Sequence, residues 1–194
     1  MFKKKLSQVL WAIWKWYVVD TVSWGFPVKQ EVGTPALATA TAVLASTALT
    51  ASVTTLVTAG LTDPDVLRCV SITWNAAGIN WDVIVKGTDW AGRSVTEAIA
   101  SSGTSTVAWV VAFKTITSVT LPVLDTAWDE ISVGVTASVW LYRDIDADAD
   151  VLSVYADGVR EAVGSVDNAN NTVVITTAFN GTVRFEISYL TTTF

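Results

Sequence analysis

Residues 182–190 read TVRFEISYL. In an extended chain successive side chains point to opposite faces, so Val183, Phe185, Ile187 and Tyr189 share one side and Arg184, Glu186 and Ser188 the other. A helix would scatter those apolar residues around its axis. This stretch is a strand with one face buried, and the sequence around it repeats the pattern.

Upstream, Asn180-Gly181 joins this strand to VVITT (173–177), and Asp157-Gly158 divides VLSVYADGVREAV (151–163). Asn-Gly and Asp-Gly supply the positive-φ residues that tight hairpin turns need, so both segments are expected to be hairpins. Further strands are expected at Arg68–Trp74, Trp81–Gly87, Ser94–Ala100, Thr115–Leu121 and Ile131–Trp140, then Val151–Ala156, Val159–Val163, Thr172–Thr177 and Thr182–Leu190. Turn signals such as Asn75-Ala-Ala-Gly78 and Asp89-Trp-Ala-Gly92 separate them. The expected fold is therefore all-β, an antiparallel, immunoglobulin-like β-sandwich.

Before this body lie two different stretches. Val32 to Thr62 holds no charged residue and is dominated by Ala and Thr. Its threonines, serines and β-branched residues favour an extended arm followed by a strand over a lipid-facing helix. Residues 1–24 contain Trp11, Trp14, Trp16 and Trp24 together with Lys3, Lys4, Lys5 and Lys15. Lys15 interrupts the apolar run too early for a signal peptide, and the run before Asp20 is too short to span a bilayer. Phe2, Leu6, Val9, Ile13 and Trp16 share one helical face, which Leu10 and Tyr17 widen. The expected organisation is an arm over 1–33, a sandwich domain over 34–143 and a C-terminal hairpin region over 144–194.

Charge and composition narrow the chemistry. The net charge is −6. Four lysines against Asp20 give residues 1–24 a charge of +3, which leaves −9 for the rest. An acidic body has nothing with which to displace counterions from phosphates, so no nucleic-acid partner is expected. The chain has no histidine, which removes the usual general base and the commonest metal ligand. The single cysteine, Cys69, lies in the apolar run VLRCVSITW and is expected to be a small core residue. A Ser-His-Asp triad is impossible, and no nucleophile elbow or phosphate loop occurs. Neither a catalytic residue, a cofactor nor a metal is expected.

RDIDADADV (143–151) spaces Asp144, Asp146, Asp148 and Asp150 like the start of a calcium loop. Ala149 and Tyr155 stand where the required Gly and Glu would be, so a solvated acidic linker and domain boundary is expected instead. Core or interface packing is the expected role of the body tryptophans, and Trp90, in an expected turn, is the candidate among them for an exposed aromatic in contact with sugar or protein.

From Asp63 onward the residues carry a resemblance. Asp63-Pro64-Asp65, Arg68, Gly87-Thr88 with Gly92, Val95-Thr96-Glu97 and Phe113-Lys114-Thr115-Ile116-Thr117-Ser118-Val119 occur in an order that resembles structural proteins of tailed bacteriophages. The resemblance spans Val43 to Leu190. The tryptophan-rich start and the tryptophans between Trp74 and Trp109 have no counterpart in it. It implies a non-enzymatic virion protein of the capsid decoration or head-fibre type, with a neck or tail component as the alternative. The implied partners are the major capsid protein or other virion proteins, and further copies of the chain, a trimer favoured. The residues expected to dock are Phe2, Leu6, Val9, Leu10, Trp11, Ile13, Trp14, Trp16, Tyr17 and Trp24. Two readings of other classes stay open: a carbohydrate-binding module using Trp90, and a β protein held on a membrane surface by residues 1–24.

Overall fold

Strand β9 (Glu130–Trp140) runs through both halves of the molecule and organises the rest. The computed structural model describes residues 25–76, 79, 81–100, 104, 106–123 and 127–191. On one edge β9 pairs antiparallel with β4 (Arg68–Trp74) along most of its length. On the other edge β2 (Leu44–Ala48) takes its first residues and β13 (Thr172–Ile175) its last. With β7 (Thr106–Phe113) beside β4 and β12 (Val163–Asp167) beside β13, these strands form one six-stranded sheet.

Two four-stranded sheets pack against this central one. The first has the order β3 (Thr55–Val57), β8 (Thr115–Leu121), β5 (Val83–Thr88), β6 (Ser94–Ile99). The second has the order β1 (Phe26–Gly33), β14 (Phe185–Thr191), β10 (Val151–Ala156), β11 (Val159–Glu161). All the pairings are antiparallel, and the sheets pack as a sandwich-like all-β arrangement.

Two apolar cores result. Val70, Ile72 and Trp74 of β4 point with Ile131, Val133 and Val135 of β9 into the first, where Val83, Val85, Phe113, Val119 and Leu121 meet them. Farther along β9, Val139 passes into the second core with Leu141, Val154, Val173, Phe179, Phe185, Ile187 and Tyr189. Each such side chain contributes about 1.5–3 kcal/mol when fully buried. The opposite face of β4 is covered too: Cys69 packs with Leu67, Ala112 and Trp140. Along β4 the large apolar residues Val70, Ile72 and Trp74 alternate with Cys69, Ser71 and Thr73 on the other face.

Several expectations need correction. Residues 26–33, assigned to the arm, are β1 and pair with β14 from Phe26–Thr191 to Gly33–Phe185. The two cores meet along β9, not at the acidic run 144–150. Asp150 there is buried and accepts the backbone N–H groups of Asp146 and Ala147 at 3.0 and 2.9 Å, so the run is a capped loop. The expected hairpin across Asn180-Gly181 does not pair its flanking strands: β13 lies in the central sheet and β14 in an outer one. The turn itself forms, with Gly181 at φ 79 and Asn180 Oδ1 accepting the N–H groups of Thr182 and Val183. Between the strands Phe179 drops into the second core against Phe185, ring centroids 5.1 Å apart. Strand β7 was not anticipated; its run TVAWVVAF shows no period-two alternation of apolar and polar residues.

Candidate functional site

An open cleft of about 580 Å³ lies where the two cores adjoin. Its floor begins with β1, whose Val28, Gln30 and Val32 face it by the two-residue period of a strand. Gln30 is buried and fixes the β9 end: its Nε2 donates to Trp140 O at 2.8 Å, and its Oε1 accepts from Tyr142 N at 2.8 Å. Tyr189 Oη donates to the same Oε1 at 3.3 Å. A buried amide with its hydrogen bonds made is a rigid joint.

The rim carries aromatic rings. Trp90 sits at the tip of the β5–β6 turn, with its ring centroid 6.3 Å from Trp140 and 6.3 Å from Tyr142. The interplanar angles are 37° and 39°, so the rings form a bent platform. Trp90 is 49% exposed and Tyr142 45%. Their spacing is within the range of favourable aromatic pairs.

The turn that presents Trp90 is held by Asp89. Its Oδ1 accepts the N–H groups of Ala91 and Arg93 at 2.9 Å each, and its Oδ2 accepts from Arg93 Nε at 2.7 Å. Gly92 supplies the left-handed residue at φ 76. Burial alone would raise the Asp89 pKa, but the Arg93 backbone bond, the Arg93 side chain and the Ala91 bond outweigh it and hold the carboxyl below its ordinary value.

Charge in the cleft is predominantly positive. Asp65 is neutralised: its Oδ1 lies 2.8 Å from Arg68 Nη2 and its Oδ2 accepts from Ala36 N at 2.5 Å. Arg68 is itself buried, donates to Ala36 O at 2.9 Å and lies over the Phe179 ring at 5.7 Å. Burial lowers its pKa and Asp65 opposes that shift; a guanidinium stays charged regardless. Lys114 and Arg143 also line the cleft and make no salt bridge among the described residues.

Cys69 is fully buried, as expected for a small core residue, and burial pushes its thiol up to about 12. A thiol so far from ionisation is no nucleophile. Among the described residues no three His, Cys, Asp or Glu side chains gather where a metal ion would bind, Asp144–Asp150 included. No described helix is long and apolar enough to cross a membrane.

The docking residues expected from the sequence, Phe2 to Trp24, lie outside the described residues. Trp90 is where its turn signal placed it, exposed at a tip. Trp81 and Trp128 also face outward, at 64% and 88% exposure, while Trp74 is core. Gln30, Lys114, Tyr142 and Arg143 were not singled out. Gln30 and Tyr142 are separated by 112 positions, and no local pattern announces such a meeting. Compared with protein-family models, characterised proteins and solved structures, the chain matches none.

Proposed function

We propose that this chain is a non-enzymatic structural protein of a tailed-bacteriophage particle, a capsid decoration or head-fibre protein. It docks on the major capsid protein, or on a neighbouring virion protein, through residues 1–24, and associates with further copies of itself. The particle and the partners come from the resemblance across residues 43–190; docking also has physical support in the surface.

The observation that carries the reading is the amount of large apolar side chain facing outward on a β scaffold. Val53, Leu56 and Trp81 are all more than 60% exposed, and Trp128 at φ 78 is 88% exposed. Thr54, Trp81, Ile84 and Pro122 line a second hollow of about 470 Å³ on the outer sheet. Only 15% of the chain is charged. Such surface is costly in water and favours burial against a partner.

The test is binding of purified protein to capsids stripped of it. Deletion of residues 1–24 is expected to leave the β body folded and abolish binding. Retention of full binding by that truncation overturns the docking arm. Copy number in intact particles separates a shell protein, present all over the surface, from a neck or tail protein confined to one ring.

A further inference from the structure

We propose that the cleft between the two cores binds an acidic saccharide, with Trp90 and Tyr142 stacking on a sugar ring and Lys114 and Arg143 pairing with its carboxylates. This site is separate from the docking surface proposed above and does not depend on it.

Three observations converge. First, the rings are exposed but not loose. Asp89 locks the Trp90 turn with three hydrogen bonds, and Gln30 pins the backbone at Trp140 and Tyr142. A platform already in place binds without the cost of ordering its side chains. Second, the plane of Trp90 is tilted by 37° to Trp140 and by 39° to Tyr142, which sets the exposed rings as an angled aromatic surface at the cleft. The C–H face of a pyranose is apolar and its edge is hydroxylated, so stacking satisfies the first while the open cleft leaves the second in water. A lipid chain needs an enclosed apolar cavity, which this open cleft does not provide. Third, the charge has the right sign in a protein of the opposite sign. The chain is −6 overall, yet among the described residues the two cations of the cleft lack carboxylate partners and the one acid lining it, Asp65, is tied to Arg68. Two cations are too few to track a nucleic-acid backbone but suit spaced carboxylates. The volume of about 580 Å³ falls in the range of small-ligand clefts.

The full chain is titrated calorimetrically with a tetragalacturonate, with its methyl ester, which has the same rings without the charge, and with a hexapeptide of Asp and Glu. Tetragalacturonate is expected to bind, and the methyl ester about tenfold more weakly. Trp90→Ala is expected to lose binding of both saccharides at least tenfold. A Lys114→Gln/Arg143→Gln variant is expected to bind the acid and the ester alike, with unchanged thermal stability because both side chains are exposed. Tyr142→Phe keeps the ring and is expected to retain affinity. Absence of binding, equal binding of acid and ester by the wild type, indifference to Trp90→Ala, or equally tight binding of the acidic peptide overturns the proposal. Capsid binding by the same variants reports on the docking arm separately.

Discussion

Glu97 is a carboxylate in a place that disfavours charge. It lies on β6, is 6% exposed, and its Oε1 accepts the N–H groups of Val110 and Val111 at 3.3 and 3.2 Å while Oε2 has no hydrogen-bond partner among the described residues. Burial raises its pKa above 4.5, and the two backbone bonds only partly offset that shift. A raised pKa in the folded state means that the folded protein holds this proton more tightly than the unfolded one. The contribution to stability is complete below about pH 4.5 and is lost as pH rises through the folded value. Glu97→Gln removes the ionisation and keeps an acceptor for Val110 and Val111. It is expected to flatten the dependence of melting temperature on pH above 4.5. Thermal melts from pH 4 to 8 decide it; an unchanged slope excludes Glu97 as the source. Asp89 works in the opposite sense: its depressed pKa gives stability present above the ordinary carboxylate range and lost as pH falls.

At the scale of elements, the close approach of strands is set by glycines. Gly134 lies in β9 between the portion that pairs with β2 and the portion that pairs with β13. There the segment at Thr39–Ala40 crosses over it, and Thr39 O accepts from Val135 N at 3.1 Å. A Cβ on Gly134 would stand 2.1 Å from Thr39 O and 2.6 Å from Ala40 Cα, both backbone atoms that a side-chain rotation does not move. Gly134→Ala is therefore expected to cost about 1–3 kcal/mol or more, read as a lower denaturant midpoint, and to speed hydrogen exchange at Val135 N–H. A midpoint within experimental error of wild type would show that the 39–40 crossing yields easily. The β10–β11 hairpin needs no such approach. Asp157 at φ 48 and Gly158 at φ 80 form the turn that its sequence specifies, and Arg184 N donates to Asp157 Oδ1 at 2.9 Å.

For the whole molecule, β1 ties the start of the described chain to its end. Deleting residues 1–33 removes β1 and with it Gln30, the joint beneath the cleft, and leaves an edge of β14 unpaired. That truncation is expected to lower the melting temperature and expose the second core, whereas deletion of 1–24 leaves every described pairing intact. Equal melting temperatures for the two truncations would show that β1 contributes nothing to the fold. Trp74→Ala, in the centre of the first core, is expected to cost about 3–5 kcal/mol, since that side chain is 1% exposed.

Which residues become strands was largely written locally. Alternation in 182–190, the β-branched run at 68–74 and the Asp-Gly turn act between neighbours, so the all-β class, the Cys69 environment and the tip position of Trp90 follow from short stretches alone. Partnership did not. VVITTAFNGTVRFEISYL contains a proper turn and two proper strands, yet its strands belong to different sheets, with Phe179 between them buried in the second core. Residues 26–33 looked like a continuation of an arm because an edge strand carries charges on its outer face, here Lys29 to Glu186 at 2.7 Å. The cleft rests on Gln30 meeting Tyr142, and on the Trp90 turn reaching Trp140. Periodicity and turn chemistry extend over a few residues, whereas the pairing of distant strands is decided by which faces can be buried together.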